Sequence, residues 1–279
     1  MNRTILLTAL CLAAIGCGAQ DDYADRMATE HRNDAPVANP MSQAAPAADV
    51  LEQDVVYATV DGQPVTGFLA RPSDGRDGPG LIVIHEWWGL NDNIRAMARR
   101  LAGEGYTALA VDLYGGQVAG DRDTAYALMK ATNAVPAAAE DNLGQAYEYL
   151  KTELGAPSVG SVGWCFGGAW SLNTALLLPD SLDAAVIYYG HLQNDPKRLA
   201  TLDMPILGLF GGEDQGIPLE SVEAFSATLE ELGKDATIVI YPGADHAFAN
   251  PSGTNYQPEA AEQAWGVTLE FLAENLPRD

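Results

Sequence analysis

The 279-residue chain is poor in cysteine and in basic residues. Its three cysteines are Cys11, Cys17 and Cys165, and 15 lysines and arginines stand against 38 acidic residues, which gives a net charge of −23. Because two of the three cysteines lie close to the amino terminus, the rest of the chain has no pair from which to form a disulfide. The acidic excess repels phosphate backbones, so we expect no nucleic acid partner.

No apolar run in the chain is long enough for a permanent membrane span. Residues 1–17 have a basic start, a short apolar stretch over residues 5–15 and a final Gly16 before Cys17, which is typical of a secretory signal. A small residue directly before a cysteine resembles the cleavage site of bacterial lipoproteins. We therefore expect residues 1–17 to be a lipoprotein-type signal peptide and Cys17 to be lipidated. The alternative is an ordinary signal cleaved after Ala19.

This interpretation predicts an exported protein, anchored by lipid in the bacterial cell envelope and facing the periplasm or the outer surface. The anchor would be its only contact with a membrane.

Histidine is scarce as well. The four histidines are His31, His85, His191 and His246, and no two of them have the spacing of a metal-binding motif. We therefore expect no metal and no cofactor.

The remaining sequence divides into a polar segment and one folded domain. Residues 18–50 are rich in Ala, Pro, Asn, Asp and Ser and show no periodicity, which predicts a disordered tether. In residues 51–279, a β-hairpin around Asp61-Gly62 is followed by short apolar runs that alternate with helical patterns. This alternation predicts an α/β domain, with a mostly parallel twisted sheet and helices on both faces.

The most informative motif lies where an apolar run meets a helix of small residues. Its sequence is Gly163-Trp164-Cys165-Phe166-Gly167-Gly168. Flanking glycines are needed where a sharp strand-to-helix turn pushes a nucleophilic side chain out of a sheet. Asp214 and His246 follow, so that nucleophile, acid and histidine occur in the order found in the α/β-hydrolase fold.

Each of these residue types suits a step of acyl transfer. Cys165 at a helix amino terminus favours the thiolate, His246 takes or shares the proton, and Asp214 orients the imidazole. The backbone N–H of Phe166 supplies one donor to an oxyanion. We expect the second donor from Trp87, in the loop after the first parallel strand.

Two neighbours of Trp87 have alternative interpretations. A carboxylate close to a cysteine disfavours the thiolate, so Glu86 suggests a thiol that stays neutral until substrate displaces the acid. The alternative is an acid exposed on a loop. Trp88 either forms an aromatic wall of the substrate pocket or belongs to the core.

These motifs resemble those of the dienelactone hydrolase family of α/β-hydrolases, over residues 54–276. The resemblance rests on Glu86 after an apolar strand, the Cys165 turn, Asp214 before Ile217-Pro218, and His246-Ala247-Phe248. It implies that Cys165 is the nucleophile, His246 the base, Asp214 its orienter, and Glu86 the acid that holds the resting thiol. It also implies that Trp87 and Phe166 are the backbone oxyanion donors.

The resemblance extends only in part to substrate binding. In carboxylated-lactone hydrolases of this family, two arginines and a tyrosine grip the substrate, and Arg122 and Tyr126 match one arginine and the tyrosine. Asn250 takes the place of the second arginine, which removes a charged hydrogen-bonding group. We therefore expect a small ester or lactone as substrate, with a carboxylated dienelactone less favoured.

The expected activity is hydrolysis through a Cys165 acyl-enzyme. One alternative is a thiol-dependent acyltransferase or redox enzyme, which a lone reactive cysteine also allows. The other is a surface lipoprotein that uses the hydrolase fold only to bind a ligand, because fold alone does not determine function.

Overall fold

Strands and helices alternate along the part of the chain that the structure describes. The structure is a computed structural model, and it describes residues 18–75 and 78–277. The strands are β1 (Val50–Val60), β2 (Gln63–Pro72), β3 (Gly80–Ile84), β4 (Thr107–Val111), β5 (Val159–Trp164), β6 (Ala184–Tyr188), β7 (Ile206–Gly211) and β8 (Ala236–Tyr241). The helices are α1 (Gly18–Glu30), α2 (Asp92–Gly103), α3 (Arg122–Ala134), α4 (Pro136–Glu148), α5 (Phe166–Leu177), α6 (Pro196–Leu199), α7 (Leu219–Glu231) and α8 (Pro258–Asn275).

The strands form one mostly parallel sheet in the order β1-β2-β4-β3-β5-β6-β7-β8. Strands β1 and β2 form the predicted antiparallel hairpin, and β2 also pairs antiparallel with β4. The remaining neighbours are parallel. At the hairpin turn both Asp61 and Gly62 have positive φ values, which is the conformation that an Asp-Gly pair favours between twisted strands. The predicted α/β class and hairpin are confirmed.

The central strands are covered on both faces. Every residue of β3, β4, β5, β6 and β7 is buried. Because alternate side chains of a strand point to opposite faces, complete burial requires helices on each side. This explains why these strands occur in the sequence as short continuous apolar runs.

Strand order places the candidate residues together. The chain passes from β3 outward to β4 and then returns to β5 on the other side of β3, so the direction of winding reverses between β3 and β5. Ligands in open α/β sheets bind beyond the carboxyl ends of the strands at such a point. Glu86 follows β3 and Cys165 follows β5 directly.

The N-terminal segment, residues 18–49, is not the disordered tether that the sequence predicts. It begins with α1, whose Tyr23 and Met27 are buried, as is His31 one turn further on. These residues are spaced by four and therefore share one helix face. A short isolated helix is only marginally stable in water. The stability of α1 therefore comes from docking of this face on the domain and not from the amino-acid composition of the helix.

After α1 the N-terminal segment continues across the domain in turns and irregular structure. Asn39 Nδ2 donates to the carbonyl oxygen of Pro251 at 2.8 Å, and Gln43 Nε2 donates to that of Asp92 at 3.2 Å. Near its end, Ala47 packs closely against Gly103 of α2. These contacts fix a polar, proline-containing segment that forms no core of its own.

Two expectations concern the amino terminus and membranes. The predicted signal peptide, with Cys17, lies outside the described residues. Among the helices that the structure describes, none combines the length and hydrophobicity that a bilayer span requires.

Candidate active site

Cys165 lies in the turn between β5 and α5 in an uncommon backbone conformation. Its φ of 55° and ψ of −115° are rarely adopted by residues other than glycine. Tyr189, after β6, and Ala247, next to His246, also have positive φ values of 35° and 60°. Each such residue costs of order 1–3 kcal/mol, and such strain persists mainly at functional sites. The three strained residues therefore all lie in loops that follow the carboxyl ends of strands, namely β5, β6 and β8.

Glycines allow this turn to form. A Cβ atom on Gly163 would lie 2.1 Å from the carbonyl oxygen of Gly167, and one on Gly167 would lie 2.2 Å from that of Ile84. Both distances are too short for any side chain. The absence of Cβ atoms lets the backbones approach and directs Cys165 to the end of β5.

Asp214 and His246 are hydrogen-bonded to each other. His246 Nδ1 donates to Asp214 Oδ2 at 2.8 Å, and Asp214 Oδ1 accepts from the backbone N–H of Ile217 at 2.8 Å. Both side chains are fully buried. No hydrogen bond of ordinary geometry reaches Nε2 of His246 within the described part of the chain, so this nitrogen is available to a thiol or substrate.

A second imidazole contacts Cys165, and it belongs to the N-terminal segment. His31 Nε2 lies 3.7 Å from Cys165 Sγ, and His31 Nδ1 donates to Asp34 Oδ2 at 2.7 Å. The other carboxylate oxygen of Asp34 accepts from the backbone N–H and the hydroxyl of Thr254, both at 2.7 Å. Three possible ligand atoms, one from each of His31, Cys165 and His246, lie within 4.8 Å of one another. We call these three residues the thiol cluster.

The thiol cluster is compact enough for its three donor atoms to hold a metal ion. The spacing of the histidines in the sequence did not predict their proximity. In both histidines Nδ1 is bonded to a carboxylate, which leaves Nε2 as the free nitrogen. Proton transfer at a thiol requires the same orientation of the two imidazoles.

The contacts within the cluster determine its ionisation. Burial acts to raise the pKa of the Cys165 thiol, but the two histidines, His246 foremost, bring this pKa down to about 6. Burial acts to lower the pKa of His31, but its hydrogen bond to Asp34 and its contact with Cys165 raise this pKa to about 9. Burial acts to lower the pKa of His246 as well, but Asp214 and Cys165 raise this pKa well above its ordinary value. A thiolate beside protonated imidazole is therefore favoured near neutral pH.

Glu86 is buried, so the interpretation as an exposed loop acid is wrong. Its Oε2 accepts from Asn250 Nδ2 at 2.7 Å, and its Oε1 has no hydrogen-bond partner in the described part of the chain. Burial, followed by the neighbouring Cys165, raises the pKa of Glu86 to about 8. The side chain is thus neutral at pH 7. The contacts of Sγ include His31 and Met27, whereas Glu86 is bonded to Asn250.

The two expected oxyanion donors lie beside the cluster. Helix α5 begins at Phe166, so the N–H of this residue is among those that have no acceptor within a helix. Trp87 lies in a turn closed by a hydrogen bond from Gly89 N to Glu86 O at 3.1 Å, and its indole ring is 4.7 Å from the ring of His31 between centres. Their role in binding an oxyanion stays a prediction.

The expected substrate-binding residues lie in two separate places. Trp88 is buried, and its ring centre is 6.1 Å from that of His31, while Asn250 is bonded to Glu86. Arg122 and Tyr126 line a pocket with residues of α1, and no member of the thiol cluster lines that pocket. The Tyr126 hydroxyl donates to Asp25 Oδ1 at 2.9 Å. The structure therefore does not bring Arg122 and Tyr126 to Cys165.

The N-terminal segment covers the thiol. Cys165 is fully buried, and Met27 Sδ lies 3.8 Å from its Sγ. A cavity lined by Glu86 and Asn250, and by no member of the thiol cluster, has a volume of ≈ 30 Å³. Such a volume holds about two water molecules. An ester reaches Cys165 only after side chains of the N-terminal segment move.

Sequence reasoning missed His31, Asp34 and Met27. The available signal was the four-residue spacing of Tyr23, Met27 and His31, which is typical of a buried helix face. The Ala- and Pro-rich composition around this pattern favoured a disordered segment instead. The pair of His31 and Asp34 matches no catalytic motif, and only the folded chain shows that it faces Cys165.

The sheet topology and the nucleophile turn define the class of protein as an α/β-hydrolase. The family model of the dienelactone hydrolase family matches residues 65–276. The chain belongs to the dienelactone hydrolase family and is a dienelactone hydrolase-like hydrolase.

Similar proteins support this assignment. A protein of Saccharolobus solfataricus named "Putative carboxymethylenebutenolidase" is 34% identical over 259 residues, which cover 80% of this chain and 98% of that protein. "Protein usf" of Aquifex pyrophilus is 33% identical over 228 residues, covering 77% and 96%. The crystal structure of a "Putative Dienelactone Hydrolase" from Klebsiella pneumoniae superposes with a TM-score of 0.72 at 30% identity, covering 81% of this chain and 99% of that one.

Proposed function

We propose that this protein hydrolyses a small ester or lactone through an acyl-enzyme on Cys165. The observation that carries the proposal is the placement of Cys165 in a strained, glycine-flanked turn, close to the hydrogen-bonded pair of His246 and Asp214. A thiol whose pKa is about 6 is ionised at neutral pH and needs no further activation before attack.

In the proposed acylation, the Cys165 thiolate attacks the ester carbonyl carbon and forms a C–S bond. The carbonyl oxygen becomes an oxyanion, toward which the N–H groups of Phe166 and Trp87 donate. The C–O bond then breaks, and the leaving alkoxide takes the proton of the His246 imidazolium, whose charge Asp214 has stabilised.

In the proposed deacylation, a water molecule attacks the thioester and gives a proton to His246. The C–S bond breaks with its electron pair on sulfur, and the carboxylic acid leaves. The site returns to the thiolate and imidazolium with which it began.

The surroundings of the thiol favour an uncharged substrate. Relatives of this chain carry a name that refers to a carboxylated lactone. Here, Asn250 replaces an arginine and is already bonded to Glu86, and Arg122 lies outside the cluster. Within the described residues, the cations that contact the thiol are the imidazolium groups of His31 and His246, and each is already paired with an aspartate. Neither family arginine position therefore offers a free cation to offset the cost of burying a substrate carboxylate.

The test is turnover of a panel of p-nitrophenyl esters and lactones, one of them a carboxylated dienelactone, by the purified full chain. The Cys165→Ala variant should lose turnover of every substrate while it retains the circular dichroism spectrum. The Glu213→Gln variant, which changes an exposed acid next to Asp214, is the matched control and should keep full activity.

The same panel addresses the alternatives that the sequence allows. A thiol-dependent acyltransferase would give products that partition between water and an added alcohol or amine. A redox enzyme or a ligand-binding lipoprotein would leave the whole panel uncleaved in the folded wild-type protein.

We further propose that the protein is attached to the cell envelope through a lipid on Cys17. The basic start, the short apolar stretch and the small residue before Cys17 support this proposal. Labelling of the protein by radioactive palmitate in bacteria should be lost in Cys17→Ala. Labelling that persists in this variant contradicts the anchor.

A further inference from the structure

Cys165 is flanked by two imidazole–carboxylate pairs of the same design. In each pair Nδ1 of the histidine donates to an aspartate, at 2.8 Å for His246 with Asp214 and at 2.7 Å for His31 with Asp34. The two histidine rings meet edge to face, with centres 5.2 Å apart. The first pair follows the family motifs, whereas the second comes from the N-terminal segment, before the residues matched by the family model.

The second pair has a cost that simple coverage of the thiol would not require. The side chains of His31 and Asp34 are 1% and 3% exposed. Burial of two ionisable groups is unfavourable unless they are paired and hydrogen-bonded, whereas an apolar side chain would cover a thiol without that penalty. Met27, on α1, already covers Sγ without burying an ionisable group.

The position of the second pair is fixed by loops that carry the first. Arg26 Nε donates to the carbonyl oxygen of Gly216, in the loop after Asp214, at 3.2 Å. Thr254, in the loop after His246, holds the carboxylate of Asp34 through two hydrogen bonds. These hydrogen bonds fix the position of the N-terminal segment relative to the loops that carry Asp214 and His246. A reacting group needs such precise placement.

We propose that His31, oriented by Asp34, is a second catalytic histidine that acts directly on the sulfur of Cys165. The inference rests on the proposed function and deepens it. His31 Nε2–H donates to the resting thiolate and stays protonated while His246 exchanges its proton with the leaving alkoxide and with water. When the C–S bond breaks in deacylation, the electron pair returns to a sulfur that His31 stabilises, which favours this step. In acylation, His31 contributes by increasing the fraction of the thiol that is ionised before attack.

Several titratable groups act on this pair. Asp34 and Cys165 favour the protonated form of His31, while its burial and the proximity of His246 disfavour it. Within the described part of the chain, the other ionisable side chains that interact with His31 are Glu30, on α1, and Glu86, in the loop after β3. Those that also face Cys165 are Tyr23 of α1, Tyr114 after β4 and Tyr189 after β6.

The experiment measures alkylation of Cys165 by iodoacetamide as a function of pH, and in parallel hydrolysis of p-nitrophenyl acetate. It uses the full chain with EDTA present, as wild type and as His31→Gln, Asp34→Asn and His191→Gln. His191 is the matched control, because its ring stacks on Tyr23 of α1 at 4.5 Å without forming part of the thiol cluster.

We expect a wild-type alkylation midpoint near pH 6, as the thiol pKa indicates. His31→Gln should move this midpoint upward by about one pH unit and lower kcat/KM at pH 6 by roughly fivefold, because a smaller fraction of the thiol is then ionised. Asp34→Asn should give a smaller shift in the same direction, because Asn still accepts from Thr254 but no longer stabilises imidazolium. His191→Gln should change neither quantity.

Faster alkylation of His31→Gln at every pH, with an unchanged midpoint, would show that His31 only covers the thiol and would overturn the proposal. Because alkylation needs no ester, failure of the proposed function has a different signature. In that case the wild-type protein lacks esterase activity, while the midpoint still shifts in His31→Gln and supports the contact of His31 with the thiolate. Should His31→Gln fail to fold, the midpoint of Asp34→Asn decides.

Discussion

The carboxyl of Glu86 is a buried titratable group that interacts with all three members of the thiol cluster. Its pKa of about 8 results first from burial and then from the nearby Cys165. Below pH 8 the group is protonated and adds no negative charge beside the thiolate. As the pH rises through 8, it ionises, and repulsion then disfavours the thiolate.

This assignment makes a prediction for Glu86→Gln, because an amide closely resembles a protonated carboxyl. The variant should equal wild type in thiol alkylation and in kcat/KM between about pH 6 and pH 7.5. Above pH 8 it should keep its activity, whereas wild type declines. The pH profiles of the two proteins provide the measurement, and a difference confined to pH 7 and below would support the gating role that the family resemblance implies.

At the scale of elements, the strand-to-helix turn depends on backbone contact between β5 and α5. Gly163→Ala should lower the free energy of unfolding by roughly 1–3 kcal/mol, the usual cost of forcing extra volume into a packed site. A Cβ at this position would meet the Gly167 carbonyl at 2.1 Å. Urea denaturation measures the change.

Gly144→Ala is the control for this substitution. Gly144 lies within α4, and a Cβ there would have no heavy atom within 4 Å. The change should raise the free energy of unfolding by roughly 0.5–1 kcal/mol, because alanine loses less backbone entropy than glycine in a helix. Equal destabilisation by both substitutions would mean that the turn tolerates a side chain.

Helix α1 supplies a separate prediction about access to the thiol. Met27→Ala should speed alkylation of Cys165 several-fold at every pH and leave the pH midpoint unchanged. The reason is that the thioether covers Sγ without carrying a charge. Leu219→Ala, on α7 and partly exposed, is the control and should have no effect. An altered midpoint in Met27→Ala would indicate that Met27 positions the histidines.

The difference between α1 and the other elements shows where sequence-based prediction ends. The apolar runs of β3 and β5 and the glycines around Cys165 are local patterns with local causes, and they predicted both the sheet and the turn that carries Cys165. Docking of α1 depends on a surface formed by loops more than 150 residues further along the chain, such as Gly216 and Thr254. No local pattern contains that information.

The pairing of Glu86 with Asn250 was hidden for the same reason. The two residues are 164 positions apart, and their hydrogen bond forms only when the loops after β3 and β8 meet. From the sequence, Asn250 was interpreted as the replacement of a substrate-binding arginine. In the folded chain it satisfies one oxygen of a buried acid.

At the scale of the whole molecule, the net charge of −23 affects which substrates approach. The field of an acidic protein repels anions over about 10 Å at moderate salt and is screened as salt rises. We expect kcat/KM for a negatively charged p-nitrophenyl hemiester to rise about threefold between low and physiological salt. Neutral p-nitrophenyl butyrate, as control, should show no such rise, and parallel behaviour of the two esters would contradict the prediction.

The route of the N-terminal segment also affects how enzymes of this kind are compared and shortened. Residues 65–276 suffice to match the family, yet His31 touches the reacting sulfur from outside those limits. A truncated protein that begins at β1 would keep every family motif and would still have a different environment around its sulfur. Alignments confined to the shared domain therefore compare only one of the two histidines that meet at Cys165, and two relatives that are alike over that domain can differ in chemistry through the segment that precedes it.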